Sequence, residues 1–309
     1  MKILVVGAGS IGGYFGGRLF ASGRDVTFLV REHRSEKLAR DGLIIKSPAG
    51  DLTISNPPTV TASKLCEPYD LIILSCKAYD LEGAIADIEP AVGPLTRILP
   101  LLNGMRHMDM LVSRFGSDRV LGGLCMISTT FNPEGEIIQS GQLQSLTFGA
   151  LDAGNEDFAR QVGGQFADTG VLVVRSNLIM QEMWEKWTFI ATAAGLTTLM
   201  RSTIGDIVEA GGTDIAEKML LECSSIAGAN GYKPRSEILK KFQKMFTAAD
   251  STMTASLFRD LEAGGRIEAD HLIGDLLARA DPAMDTPSIL PIAFVHMKTY
   301  EARKRRESK

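Results

Sequence analysis

The chain of 309 residues is 45% hydrophobic and 23% charged, a composition that excludes global disorder. Its length exceeds what one hydrophobic core usually holds, which predicts two domains. The formal net charge is -4 and no long basic face precedes the C-terminal tail, so the charge favours neither nucleic acid nor an anionic membrane as a partner. A small-molecule ligand is the expectation that remains.

Cysteine and histidine spacing argues against a disulfide framework and against a metal site. The cysteines are far apart, with no C-x-x-C pair, which is typical of a reduced cytosolic chain. They are Cys66, Cys76, Cys125 and Cys223. The histidines have no metal-ligand spacing either; they are His33, His107, His271 and His296. No apolar run reaches the length of a membrane span and the N-terminal ILVV is too short for a signal-peptide core, so we expect a cytoplasmic protein.

The N-terminus has the pattern of a βαβ unit. A short apolar strand is followed by glycines, a helical pattern that stops at Gly23, and a second strand, VTFLV. Gly7, Gly9 and Gly12 fit G-x-G-x-x-G in this context, where they permit a tight turn, close approach of a pyrophosphate and packing of helix on strand. The free N–H groups and dipole of the helix N-terminus favour an anion there. The pattern predicts a dinucleotide-binding fold, with a purely structural turn as the alternative.

The end of the second strand indicates which dinucleotide is bound. An acidic residue there would accept a hydrogen bond from a ribose 2′-hydroxyl, but this chain has Arg31, followed by Glu32, His33 and Arg34. The planar fork of Arg31 suits a 2′-phosphate, which favours NADP(H). Glu32 keeps NAD(H) open as the alternative.

Two further apolar runs predict buried parallel strands. LIIL precedes Lys77, and RILP precedes Asn103 and Gly104. Because ligands bind at the carboxyl ends of strands in open α/β sheets, Lys77 and Asn103 are expected to face the cofactor. For Asn103-Gly104 a simple turn is the alternative.

The pattern changes along the rest of the chain from strands to helices. FNPEGEIIQSGQLQSLTFGAL predicts short antiparallel strands joined at Glu134-Gly135 and at Ser140-Gly141, before a polar helix and a last strand, VLVVRSN. From residue 178 the periods are helical only. We therefore expect an α/β protein with an N-terminal Rossmann-type doubly wound sheet, residues 1–177, and a C-terminal all-helical domain, residues 178–309.

The first predicted helix of the second domain carries a lysine between two tryptophans. Apolar residues recur there at steps of three and four and form one stripe; they are Met180, Trp184, Trp187, Ile190, Ala191 and Ala194. Lys186 falls beside this stripe, where its stem can be buried while its amine reaches a cleft. From this helix alone, a surface lysine with a buried stem is the commoner explanation, and catalysis is the alternative.

The chain carries, in this order, GAGSIGG, an arginine closing the second strand, SCKAYD, LLNGM, MWEKW and SLFRDLEAGGRIEAD. This succession resembles the ketopantoate reductase family (2-dehydropantoate 2-reductases) over essentially the whole chain. The resemblance implies a Rossmann domain followed by a helical domain with the active site in the cleft between them. It implies NADP(H) as cofactor, a 2-oxo acid as substrate and a role in pantothenate biosynthesis.

The resemblance also implies a role for each matching residue. The implied catalytic residues are Lys186 and Asn103, and the implied substrate-binding residues are Asn103 and Ser256. The implied cofactor-binding residues are Gly7, Gly9, Ser10, Gly12, Arg31, Lys77, Asn103 and Glu268. Hydride transfer to a 2-oxo carbon develops alkoxide charge, which a lysine ammonium can stabilise and protonate.

The chain departs from the family at substrate-binding positions. Where the family has asparagines for the pantoyl oxygens, this sequence has Ile190, Ala194 and Ile204. Each lost hydrogen bond is worth about 1 kcal/mol or more when its partner is buried. These changes predict a less hydroxylated 2-oxo acid as an alternative to ketopantoate, with Arg201 as a candidate grip on the substrate carboxylate.

Two other functions stay open at this point. A dehydrogenase of the 6-phosphogluconate or 3-hydroxyacid type shares the plan of a Rossmann domain followed by helices. An NADPH-binding regulatory protein is the alternative without catalysis. The sequence does not fix the oligomeric state, although a helical second domain allows a homodimer.

Overall fold

The computed structural model describes residues 1–282 and 287–307. By its internal contacts the chain divides into two compact units. The N-terminal unit comprises Met1–Leu102 and His107–Ile179, and the C-terminal unit comprises Asn103–Arg106 and Met180–Lys309.

The N-terminal unit is built on β-strands with helices packed on them. The strands are β1 (Lys2–Val6), β2 (Asp25–Leu29), β3 (Leu43–Lys46), β4 (Leu52–Ile54), β5 (Thr59–Val60), β6 (Leu71–Leu74), β7 (Arg97–Pro100), β8 (Leu121–Phe131), β9 (Ile137–Ala150) and β10 (Leu172–Arg175). The helices that accompany them are α1 (Ser10–Ala21), α2 (Glu32–Asp41), α3 (Leu81–Ile88), α4 (Arg106–Phe115) and α5 (Glu156–Gln165).

A parallel sheet in the order β5-β2-β1-β6-β7 forms the centre of this unit. On β1, Ile3 pairs with Val26 of β2 on one side and with Leu71 of β6 on the other. Every residue of β6 is buried, as a strand covered on both faces requires. The predicted βαβ unit and both predicted apolar strands are confirmed. The carboxyl ends of β1, β2 and β6 therefore lie side by side at one edge of the sheet.

A second sheet has the order β10-β9-β3-β4, with β8 pairing antiparallel to β9. The expected turn at Glu134-Gly135 is confirmed, because it joins β8 to β9. The expected turn at Ser140-Gly141 is wrong, because both residues lie inside β9. There the register shifts from Ile127 opposite Gln144 to Ser128 opposite Ser140, and Gly141 has a φ of 78°. The glycine therefore permits a bulge in one long strand and not a reversal of the chain.

The described residues of the C-terminal unit form helices joined by loops, with no β-strand among them. Its helices are α6 (Ile179–Met200), α7 (Ile204–Glu209), α8 (Thr213–Ala229), α9 (Ser236–Phe246), α10 (Ser256–Glu262), α11 (Asp275–Ala278) and α12 (Leu290–Glu307). A π-helical turn, Asp270–Gly274, leads into α11. The predicted all-helical second half is thereby confirmed over the residues described. Among the helices described, none combines the length and hydropathy that crossing a bilayer requires.

Helix α6 is buried around most of its circumference. Trp184, Trp187 and Ala194 of the predicted apolar stripe are buried, as expected. Threonines outside this stripe are buried as well. Thr192 and Thr197 donate their hydroxyls to carbonyls one turn earlier, at 2.8 and 2.7 Å, so these polar groups enter the core with a hydrogen-bond partner.

Candidate functional site

The glycine-rich loop between β1 and α1 has the geometry of an anion cradle. Gly7 has a φ of 89°, and its N–H donates to the carbonyl of Leu29 at the end of β2, at 2.9 Å. A Cβ placed on Gly12 would lie 2.2 Å from the carbonyl oxygen of Gly7, so only glycine fits there without moving the backbone. A Cβ placed on Gly9 would meet no atom within 4 Å. The loop is thus tightly packed at Gly12, whereas the space in front of Gly9 is open.

The N-terminus of α1 follows directly on this open space. The helix begins at Ser10 after Gly9 as N-cap, and no side chain caps it. Uncapped helix N–H groups beside an open backbone suit an anion such as the pyrophosphate of a dinucleotide. The residues of the loop therefore fit the cofactor that the sequence predicts.

Two arginines lie near the end of β2. Arg31 is 78% exposed in its side chain, and its Nη2 lies 2.8 Å from Oδ1 of Asp80. Arg34, one turn further on, is half-buried and donates from Nη2 to the carbonyl of Ala8, at 2.9 Å. Its guanidinium carbon lies 5.3 Å from the ring centroid of Phe131. Arg34 has a fixed position beside the glycine loop, which the sequence motifs did not indicate.

The next strand end contributes Ser75 and Lys77. The Ser75 hydroxyl, directly after β6, donates to the carbonyl of Val6 at 2.9 Å and so ties the ends of β6 and β1 together. Lys77 follows three residues after the strand and is exposed. The glycines, Arg31 and Lys77 are thus all placed at the carboxyl ends of neighbouring parallel strands.

Asn103 lies three residues after β7 but belongs, by its contacts, to the C-terminal unit. The next residue, Gly104, has a φ of 80°, and a Cβ on it would lie 3.1 Å from the carbonyl oxygen of His271. The His271 ring is hydrogen-bonded to the backbone of Asn103. Burial lowers the pKa of His271, although Glu268 and this hydrogen bond act in the opposite direction. His271 is a buried neighbour of Asn103 that no motif in the sequence singled out.

Lys186 lies on α6 between two buried residues and is itself half-buried. The indole Nε1 of Trp187 donates to the carbonyl of Leu272 at 2.9 Å. The N–H of Leu272 in turn donates to the carbonyl of Glu268 at 3.0 Å. These bonds fix the MWEKW segment of α6 to the backbone that carries Glu268 and His271. The structure therefore brings the segments of Lys186, Glu268 and Asn103 into one connected group.

The residue before Lys186 is a buried carboxylate that is held by an ion pair. Glu185 is 4% exposed and accepts hydrogen bonds from Arg235 Nε at 2.8 Å and from Nη2 at 2.6 Å. Burial alone would raise the pKa of Glu185, but the hydrogen bonds from Arg235 and Gln181 hold it below its ordinary value. This carboxylate anchors the first turns of α6, directly beside Lys186.

The face of α6 that starts at Lys186 continues through Ile190 and Ala194 to Thr197, in steps of four and three residues. Ile190 is half-buried and Ala194 is fully buried. At the far end of this face, Thr197 Oγ1 accepts a hydrogen bond from the backbone N–H of Ala255 at 3.3 Å. Ser256, the exposed first residue of α10, follows Ala255. Ser256 therefore follows the residue that is bonded to the far end of this face, and Lys186 lies at its near end.

Arg201 and Ile204 lie just beyond this helix. Arg201 has a φ of 55°, and its Nη2 forms an ion pair with Oε1 of Glu262. Ile204 is fully buried at the start of α7. A substrate carboxylate bound by Arg201, as the sequence suggests, would therefore have to compete with the carboxylate of Glu262. Across residues 1–282 and 287–307, no cluster of three or more His, Cys, Asp or Glu side chains is arranged to hold a metal ion.

Comparison with protein families gives matches in both halves of the chain. A family model described as Ketopantoate reductase PanE/ApbA matches residues 3–153. A second, described as Ketopantoate reductase PanE/ApbA C terminal, matches residues 178–290. The first match contains the glycine loop and Asn103, and the second contains Lys186, Ser256 and Glu268.

Individual relatives match this chain over nearly its full length and over nearly the whole of their own. The uncharacterized oxidoreductase YkpB of Bacillus subtilis (strain 168) is 34% identical over 98% of this chain and 100% of its own length. The crystal structure of 2-dehydropantoate 2-reductase from Geobacter metallireducens GS-15 has a TM-score of 0.86 at 24% identity, covering 97% of this chain and 99% of that one. D-mandelate dehydrogenase, in a ternary structure with NADH and anilino(oxo)acetate, has a TM-score of 0.87 at 21% identity and covers 99% and 100% of the two chains. The predicted fold class is confirmed.

Proposed function

Because the chain belongs to the ketopantoate reductase family of NADP-dependent oxidoreductases, we propose that it reduces a 2-oxo acid to the corresponding 2-hydroxy acid with NADPH. Family membership confirms the resemblance and the enzyme class expected from the motifs. The observation that carries the proposal is the bond from Trp187 to Leu272, because it fixes the segment of Lys186 against that of Glu268. A lysine and a carboxylate in one connected group supply a proton donor and a group to orient it.

In this proposal the glycine loop and strand ends of the N-terminal unit bind the cofactor. The backbone at Gly7, Gly9 and Gly12, with the N-terminus of α1 at Ser10, holds the pyrophosphate. Arg31 contributes to binding the 2′-phosphate, and Lys77 lies toward the reactive end. The open space above Gly9 and the uncapped helix support this assignment.

The C-terminal unit supplies the polar groups for the chemistry. When bound, the cofactor supplies a hydride to the 2-oxo carbon. Lys186, as an ammonium, stabilises the negative charge that develops on the carbonyl oxygen and gives it a proton. The Asn103 side chain is proposed as a further hydrogen-bond donor to the substrate, and Glu268 orients the lysine. Ser256 is proposed to bind the substrate at the far end of the α6 face.

Ketopantoate is the first candidate substrate, and its reduction would place the chain in pantothenate biosynthesis. A second candidate, a less hydroxylated 2-oxo acid, is favoured by the apolar residues Ile190 and Ala194 on the face that leads from Lys186 to Ser256. A hydroxyl group that is buried against these side chains would lose its hydrogen bonds, at about 1–3 kcal/mol. An alkyl or aryl group would gain apolar contact instead.

The test is a steady-state assay of NADPH oxidation with ketopantoate and a panel of other 2-oxo acids. The panel includes 3,3-dimethyl-2-oxobutanoate, which is ketopantoate without its hydroxyl group, and phenylglyoxylate, the oxo acid of mandelate. Wild type is compared with Lys186→Ala, and with Lys233→Ala as a matched lysine variant outside the proposed site. We expect turnover of at least one oxo acid, a kcat lower by about 100-fold or more in Lys186→Ala, and no change in Lys233→Ala.

The substrate pattern separates the two candidates. A higher kcat/KM for ketopantoate than for 3,3-dimethyl-2-oxobutanoate supports ketopantoate, because only the hydroxyl group distinguishes the two. The reverse order supports the apolar substrate. If Lys186→Ala kept the wild-type kcat on the preferred substrate, the proposed proton donor would be wrong.

A further inference from the structure

A second arginine lies beside the cofactor loop with no assigned role. The Nη2 of Arg34 donates to the carbonyl of Ala8 at 2.9 Å, and Ala8 lies between Gly7 and Gly9. The cation is therefore at the rim of the loop whose backbone fits a pyrophosphate. Arg31, by contrast, lies at the N-cap of α2 and is mostly exposed.

The guanidinium of Arg34 has two contacts that hold it in place. It donates to the Ala8 carbonyl, and its carbon lies 5.3 Å from the ring centroid of Phe131, the last residue of β8. The turn after β8 also rests on α2, where Lys37 Nζ donates to the carbonyl of Glu134 at 3.3 Å. A cation that is already held in place loses little conformational entropy when it binds a ligand, so the fixed position of Arg34 favours the binding of an anion.

The charge of Arg34 is half-buried. Burial lowers the pKa of Arg34, and Asp41 acts in the opposite direction. Within residues 1–282 and 287–307, Arg34 makes no ion pair with a carboxylate, whereas Arg31 is paired with Asp80. A half-buried cation without a carboxylate partner gains more from an incoming anion than an exposed, paired one does.

We propose that Arg34 binds the 2′-phosphate end of NADP(H) together with Arg31, and that it contributes to the preference for NADP(H) over NAD(H). The planar fork of Arg34 can form two parallel hydrogen bonds to a phosphate while one N–H stays on the Ala8 carbonyl. The proposal rests on NADP(H) as the cofactor in the proposed function, and it is independent of which 2-oxo acid is reduced.

The test measures cofactor binding without substrate. The dissociation constants of NADPH and NADH are measured by calorimetric titration of the full chain as wild type, Arg34→Gln and Arg40→Gln. Arg40 lies on the same helix, is exposed and pairs with Asp41, so it is a matched control. We expect Arg34→Gln to raise the NADPH constant by at least about tenfold and the NADH constant by less than about threefold, and Arg40→Gln to change neither.

Two further measurements separate recognition from loop support. The fragment 2′,5′-ADP, which carries the 2′-phosphate, is titrated against 5′-AMP, and Arg34→Lys is included because it keeps the charge without the fork. We expect Arg34→Gln to weaken 2′,5′-ADP and leave 5′-AMP unchanged, with Arg34→Lys in between. An equal loss of NADPH and NADH would overturn the proposal in favour of a purely structural arginine, as would unchanged NADPH binding. Because these titrations contain no oxo acid, their result can be interpreted even if the turnover assay detects no activity.

Discussion

The ion pair between Glu185 and Arg235 is expected to stabilise the C-terminal unit by an amount large enough to measure. Glu185 is buried, and Arg235 donates to it from Nε, Nη2 and the backbone N–H, at 2.8, 2.6 and 2.9 Å. Gln181 Nε2 adds a fourth bond at 3.2 Å. The substitution Arg235→Met removes the two guanidinium bonds and keeps the backbone bond and most of the side-chain volume.

The size of the effect follows from these contacts. A hydrogen bond to a charged group contributes about 1.5–3 kcal/mol, so losing two costs about 3 kcal/mol or more. Removing one partner of a buried ion pair costs about 3–5 kcal/mol in general. Because the Arg235 side chain is 37% exposed, water screens part of the interaction. We therefore expect the free energy of unfolding to fall by about 3 kcal/mol, at the lower end of that range.

The assay uses the position of the tryptophans. The chain has 2 tryptophans, and both lie on α6 next to the ion pair, so their fluorescence during denaturant unfolding reports on the C-terminal unit. Arg303→Met is the control, because Arg303 and Glu307 form an exposed pair at 3.8 Å in the same unit. We expect that control to change stability by less than about 0.5 kcal/mol.

The dependence on pH gives an independent check. Since the pKa of Glu185 is held below its ordinary value, the pair contributes its full stability above the pKa of the unfolded chain and loses it as the pH falls through the folded pKa. The difference between wild type and Arg235→Met should therefore shrink from about pH 7 to about pH 3. The reasoning is refuted if Arg235→Met is no less stable than Arg303→Met at neutral pH, or if the difference grows in acid.

Two further predictions concern the glycine loop and the thiols. In Gly12→Ala the new methyl group meets the Gly7 carbonyl at 2.2 Å, so we expect a lower midpoint of thermal unfolding without cofactor. Gly9→Ala should keep the wild-type midpoint but raise the dissociation constant of NADPH by at least about tenfold in a binding titration. If both variants changed the thermal midpoint and NADPH binding in the same way, the geometry assigned to the loop would be wrong. Cys66 is exposed, whereas burial raises the pKa of Cys223 to about 12, so a thiol reagent should label only the former of these two in the native protein, as peptide mass spectrometry can check. Labelling of Cys223 at the rate of Cys66 would show that its helix opens.

The sequence was sufficient to predict an element of structure wherever the pattern that decides it is local. The strand, glycine loop and helix at the N-terminus follow from residues within one βαβ unit, and the buried strand LIIL follows from its own apolar run. The family was predicted from the order of six short motifs and is confirmed. The dipeptide Ser140-Gly141 marks the limit of local patterns. A glycine with positive φ serves a turn or a bulge equally well, and only the pairing of β8 with β9 decides between them.

The contacts that hold the candidate site were decided by tertiary structure alone. Trp187 meets a carbonyl 85 residues away, and Glu185 meets an arginine 50 residues away. Likewise, Arg31 and Arg34 lie one turn apart on the chain, yet Asp80 neutralises the first and Phe131 with the Ala8 carbonyl holds the second. Residue type and spacing determined which side chains can do chemistry here. Which partner each one meets, and so which charge stays available for a ligand, depends on packing between distant segments that no local pattern encodes.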